Sequence, residues 1–305
     1  MSSVAEPERI TADYASGAVR IRLMAPAADL RHYLTGYYRT DIADGEIAED
    51  WLPPEEGNIR SGHSAVDRAV IGSGELAEVP RVILSGPTDR VTHSRLGSGT
   101  YWGAGLTPAG WARFVGTPAD QMANRFLDAR ETALPASIVK LFDTLIEDDK
   151  EFASEGPRID AGFRAIMGKE PAAERTIRQV HRAILSPDVT SVPPVAAIAG
   201  MSPRTFERFC KRHFGFTGGV LIRRQRFLRS LGKFMLDPSM KWISAVDTHY
   251  SDQAHFIREF RAIMGMTPSE YAARPHPVVN LAVAVTHSGG GVPHQALFRP
   301  DPGGE

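Results

Sequence analysis

Two stretches of the chain each place basic side chains on the outside of a serine-led helix. In SPRTFERFCKRHFG the outward residues include Arg204, Thr205, Arg208, Lys211 and Arg212. In SDQAHFIREFRAIMG they include Gln253, His255, Arg258 and Arg261. Arg and Lys neutralise phosphates, while an Arg fork can pair with guanine and a Gln amide with adenine. The chemistry such rows perform is recognition of a polyanion whose base edges can be read.

The elements that must hold these rows are legible locally. Ser202 is a good N-cap and Pro203 suits the first helical position; Ser251 stands where a cap for the second helix is expected. Phe206, Phe209 and Phe214 recur at helical spacing, as do Phe256, Phe260 and Met264, and these stripes are expected to be core. Before each lies a short apolar helix, VAAIAG and ISAVD, and a tight turn. The pattern predicts two helix-turn-helix units joined by a helix from Thr217 to about Leu236, ending before Asp237-Pro238. About 20 residues at ~1.5 Å each span ~30 Å, close to the ~34 Å between successive major grooves on one face of a duplex. Thr267, Pro268 and Glu270 then form a capping box with proline at N1, which predicts a short closing helix.

SPRTFERFCKRHFG and SDQAHFIREFRAIMGMTPSEY resemble the two recognition helices and closing signature of the AraC/XylS family of bacterial transcription activators. The resemblance covers roughly residues 190 to 274. It implies Arg204, Thr205 and Arg208 as base readers in the first helix, and Gln253, His255 and Arg258 in the second. Lys211, Arg212 and Arg261 suit phosphates. It also implies double-stranded promoter DNA as partner, with RNA polymerase, a small-molecule effector and a second copy of the chain as further candidates. Two positions depart from the family: His249 stands at a usual turn glycine, and Gly218 at a common proline.

Charge follows the same division. Residues 190 to 276 hold thirteen Lys/Arg against six Asp/Glu, a net of +7, while the whole chain is −1. The remainder is therefore acidic, as expected when one region meets a phosphate backbone. Within the linking helix, Arg223, Arg224, Arg226 and Arg229 are expected to face water at least in part.

Upstream, residues 19 to about 128 carry short alternating runs such as VRIRLM, PRVILSG and GTYWGAGL between Gly and Pro. They predict a β-rich domain, and the resemblance implies a small cupin-like barrel that senses a ligand. A helical turn is expected at Pro118–Gln121, after Thr117 as cap. SIVKLFDTLIEDD and ERTIRQVHRAIL predict a helical connector over 129–187, with Ile138, Leu141, Phe142 and Leu145 on one face and Ile177, Val180 and Ile184 on another. These faces would either cover the barrel or meet a second copy. Residues 1–18 read as a polar tail and 277–305 as a mostly disordered one, in which NLAVAV could pack as a strand. The fold expected is thus α+β: a β-rich barrel, a helical connector and an all-α DNA-binding module over 188–276.

Enzyme readings find little support. His32, His63 and His93 lack close ligand spacing and a paired carboxylate, so no metal and no cofactor are expected. No phosphate-cradling glycine loop or nucleophile elbow is present. The single cysteine, Cys210, excludes an intramolecular disulfide and reads as a half-buried filler. Without a signal peptide or membrane-length apolar run, a cytoplasmic location is expected. The rival readings are a metal-cupin enzyme fused to a DNA-binding module, and a protein–protein adaptor with a degenerate helix-turn-helix.

Overall fold

The computed structural model describes residues 11–148, 150–236, 250 and 252–287. Eleven strands among them form two antiparallel sheets. The larger has the order β1 (Thr11–Ser16), β2 (Val19–Met24), β3 (Leu34–Ile42), β10 (Gly99–Leu106), β5 (Gly57–Ser61), β8 (Val82–Ser85) and β11 (Phe126–Asp128). The smaller has β4 (Ala48–Leu52), β9 (Thr92–Leu96), β6 (Arg68–Ile71) and β7 (Ala77–Glu78). The β-rich half is present as expected, but as two sheets and not as a closed barrel. β1 falls inside the segment expected to be a polar tail; its six residues pair in register with β2, from Thr11↔Met24 to Ser16↔Val19.

Strand alternation splits the large sheet into two faces. Ile21 and Leu23 join Val19, Ile42 and Ala48 in a core shared with the small sheet. Tyr37, Ile59, Leu84, Trp102 and Ala104 share the main core with α1 (Ala136–Leu145) and α2 (Phe152–Ala165). Ile138, Phe142, Ile159 and Phe163 from those helices are fully buried there, as are Ile177 and Val180 of α3 (Glu174–Leu185). The predicted apolar faces are thus spent within the chain, with Val139 buried where Leu141 was expected. α2, whose start carries Pro157 within its first turns, was not singled out in sequence.

The turn expected at Pro118–Gln121 is a 3-10 segment, Ala119–Gln121, with Pro118 and not Thr117 at its cap. Thr107 instead caps the helical turn from Pro108, accepting a bond from the Gly110 amide at 3.0 Å.

Among the described residues, the C-terminal half comprises α4 (Val192–Ile198), α5 (Pro203–Phe214), α6 (Gly218–Leu236), α7 (Gln253–Met264), α8 (Pro268–Ala272) and α9 (Val279–His287); the short helix expected over ISAVD lies outside them. α9 stands where NLAVAV was expected to pack as a strand; the rest of the expected tail, residues 288–305, lies outside the described residues. Asp50 of β4 accepts bonds from the Val278 and Val279 amides at 2.8 and 2.9 Å, giving the helix start acceptors that a strand would not use. Val279, Leu281, Ala282 and Val283 are buried, which suits a short helix lodged between other elements.

Candidate nucleic-acid interface

Each recognition helix is fixed at both ends by its own residues. Ser202 Oγ accepts from the Thr205 amide at the start of α5, with Pro203 at N1. The cap of α7 is Asp252, whose Oδ1 accepts from the His255 amide at 2.6 Å. The expected cap, Ser251, lies outside the described residues, as does His249. Both helices end on a left-handed glycine, Gly215 (φ 85) and Gly265 (φ 70). Their amides close onto the Lys211 and Arg261 carbonyls at 3.0 and 2.9 Å. In α8 the Thr267–Glu270 capping box is complete in both directions.

The inner stripe of α5 is Phe206, Cys210 and Phe214, all buried, with Phe209 only partly so. Cys210 is therefore fully buried, not half-buried, and burial pushes its thiol up to about 12, with Glu207 adding to the effect. In α7 the inner stripe is Phe256, Phe260, Ile263 and Met264. Phe260 meets Phe227 of α6 and Tyr271 of α8 edge to face, at 5.4 and 5.7 Å between ring centres. Gly218, at the family's common proline position, starts α6 against Phe206. A Cβ there would lie 2.6 Å from the Phe206 ring, so the site has no room for a side chain.

With the stripes buried, Arg204, Thr205, Arg208, Lys211 and Arg212 are exposed along α5. Gln253, Arg258 and Arg261 are exposed along α7. Thr205 shares a 3.0 Å hydroxyl contact with Ser202. Arg258 has no ion-pair partner among the described residues, because both nearby carboxylates are engaged elsewhere. Asp252 caps the helix, and Glu259 is buried against the Arg226 guanidinium at 2.7 Å and the Tyr250 hydroxyl. Arg261 lies close enough to Glu270 to help hold that carboxyl below its usual range, behind the stronger effect of the Thr267 bonds. His255 differs from the rest: it is half-buried, edge-on to Tyr250 at 5.3 Å and 4.0 Å from Glu259.

Of the four linking-helix arginines, expected to face water in part, Arg223 is exposed while Arg224 and Arg226 turn inward. Arg224 is 7% exposed and donates to the Glu55 and Thr88 carbonyls at 3.3 and 3.1 Å. Burial lowers its pKa from the ordinary value. Arg226 holds Glu259 and lies over the Tyr250 ring at 4.3 Å. Both were hidden in sequence because their partners are distant in the chain or buried in the same cluster.

Residues 195–274 match the family model for a helix-turn-helix domain. This segment is an AraC-type helix-turn-helix domain. Among solved structures, the chain is similar to an apo ToxT variant from Vibrio cholerae: 9% identity, 85% of this chain and 98% of that one, TM-score 0.40. A second ToxT structure from that organism gives 10%, 77% and 95%, with TM-score 0.40. The AraC-like transcriptional activator CuxR gives 13%, 72% and 86%, with TM-score 0.33. No curated protein sequence matches the chain.

The AraC-type domain is seated on the β-rich half. The Val91 amide donates to the Ile263 carbonyl of α7 at 2.8 Å, and Arg224 of α6 donates to the Glu55 and Thr88 carbonyls. Trp51 and Val91 share a core with Phe227, Phe256, Phe260 and Tyr271. The Arg274 guanidinium covers the Trp51 ring at 4.2 Å, and His93 stacks on Trp51 at 4.6 Å. His93 also pairs with Glu49, and it is not gathered with His32 and His63. Among the described residues no group of three or more His, Cys, Asp or Glu is placed to share a metal ion. No helix of the described residues is long and apolar enough to cross a membrane.

Proposed function

We propose that the chain is a sequence-specific DNA-binding transcription regulator controlled through its β-rich half. The observation carrying this reading is the pair of capped helices whose inner faces are buried and whose outer faces carry exposed basic side chains. Arg204, Thr205 and Arg208 read bases from α5, and Gln253 and Arg258 from α7, with His255 the least accessible of the six. Lys211, Arg212 and Arg261 hold phosphates. α6 has 19 residues, so ~28 Å separates its ends, which suits two helices in successive major grooves.

Control through the β-rich half is supported by how much of the AraC-type domain rests on it. Arg224, Ile263, Tyr271 and Arg274 all engage that half, so any change there alters the seat of α7. A small-molecule effector, RNA polymerase and a second copy of the chain are the partners such a regulator would use, in the cytoplasm with the DNA. The test is selection of sites from a random duplex pool with the full chain, followed by genomic footprinting. A single enriched motif with two half-sites about one helical turn apart supports the reading. A pool that stays random sinks it.

A further inference from the structure

A cavity of about 120 Å³ lies on the face of the large sheet turned toward the small one. It is walled by Ile21, Leu23, Tyr38 and Tyr101 from one sheet and Leu96 from the other, and Val278 and Ala282 border it at the α9 end. Its charged neighbours are already matched. Arg60 pairs with Glu55, and its Nε donates to the Tyr38 hydroxyl at 2.9 Å. Asp67 accepts from the Tyr101 hydroxyl at 2.7 Å and from the Gly97 and Ser64 amides at 3.0 and 2.7 Å. A charged ligand would have to break one of these pairs, whereas an uncharged one need only fill the apolar space. A comparable engineered apolar cavity of ~150 Å³ admits benzene.

The element closing this cavity belongs to the far end of the chain, beyond the AraC-type domain. A single buried carboxylate ties it down. Asp50 Oδ2 takes the Val278 and Val279 amides, while its Oδ1 takes the Trp51 amide at 2.7 Å and His276 Nδ1 at 2.9 Å. His276 Nε2 reaches the Tyr271 carbonyl at 2.8 Å, and its ring stacks on Tyr271 at 4.0 Å. Tyr271 in turn packs against Phe260, on the buried face of the second recognition helix. Leu281 seats the helix among Val19, Ile21, Leu23 and Ile42.

Resting on the regulator reading above, we infer that α9 is the lid of a site for a compact, uncharged, largely apolar ligand. Through the Asp50–His276 clasp it is also the lever by which occupancy reaches α7. A ligand that binds better with the lid seated shifts the population toward that seat, and the clasp passes the shift to Tyr271 and Phe260.

The test uses the full chain, with indole as the uncharged probe and benzoate as its charged counterpart, by titration calorimetry. Amide exchange at residues 279–283 and duplex DNA affinity are followed in parallel. Indole is expected to bind, benzoate not, and exchange at 279–283 to slow when indole saturates. Ala282→Phe keeps the clasp but fills the cavity, and should weaken indole by about tenfold or more. Asp50→Asn should weaken it about tenfold and speed exchange at 279–283, with circular dichroism confirming that the variant is folded. Indole binding that leaves exchange unchanged, or that survives Ala282→Phe, overturns the lid. Preference for benzoate, or no indole binding by any form, overturns the ligand class. If the lid behaves as stated while no DNA is bound, the lid stands and the regulator reading fails.

Discussion

Arg258 and Arg261 lie three residues apart on α7, both exposed, yet their surroundings differ. Arg258 has lost its neighbouring carboxylates to the helix cap and to Arg226, while Arg261 is near Glu270. Arg258→Ala should cost ~1–3 kcal/mol on the preferred site and relax choice at one base pair. Arg261→Ala should weaken all sequences evenly and lower the salt slope by about one. Selected-site sequencing of both variants checks this, and an unchanged motif for Arg258→Ala would show that another side chain reads. Cys210, with its thiol pushed up to about 12 by burial, should resist maleimide in the native protein and react on unfolding.

His213 is a second residue-scale test. Burial, with Arg212 nearby, lowers its pKa from 6.5 to about 4, and it lines a small cavity that Glu56 and Arg224 also border, in the joint between the halves. On acidification the unfolded chain takes up this proton first. Its contribution to stability is therefore lost as pH falls from about 6.5 through about 4. His213→Gln should show a smaller drop in melting temperature between pH 7 and pH 5 than the parent. Equal drops would remove His213 from the cause.

At the scale of elements, the two glycine C-caps differ in what surrounds them. Gly215 combines φ 85 with close approach to Pro87, 2.6 Å from where a Cβ would stand; Gly265 has φ 70 and open space. Gly265→Ala should cost ~1–2 kcal/mol from the left-handed backbone alone, and Gly215→Ala more. Denaturant midpoints rank them, and equal losses would mean that α5 does not press on Pro87.

What could be read from sequence was what neighbours decide. Ser202, Pro203 and the Thr267–Glu270 box act within one helical turn, so they were legible. The cap of α7 was misplaced by one position because Ser and Asp stand side by side and both cap well. NLAVAV reads as strand on β-branched content, but Asp50, more than two hundred residues away, supplies the acceptors that start a helix. Arg224 was hidden for the same reason: the carbonyls of Glu55 and Thr88 that turn it inward are remote in sequence.

For the whole molecule, the cores do not respect the boundary between the β-rich half and the AraC-type domain. Leu106, Trp111 and Ala119 share one core with Phe206, Phe214 and Leu221, and Trp51 shares another with Phe260 and Tyr271. Heating the full chain should therefore give one calorimetric transition; two separate ones would contradict a shared core. Removing the Arg224 cation strips the Glu55 and Thr88 carbonyls of their buried donor. Arg224→Ala should therefore lower that single transition while leaving exposed α5 and α7 side chains untouched.

On the function proposed above, the two basic helices α5 and α7 read duplex DNA. The most direct measurement is fluorescence anisotropy of the full chain on its selected duplex across a salt series. A linear fall of log affinity with log salt is expected, with a slope that lessens when Lys211, Arg212 and Arg261 are replaced together by Ala. Binding that is negligible at low salt, or that is indifferent to both salt and those three substitutions, would contradict it.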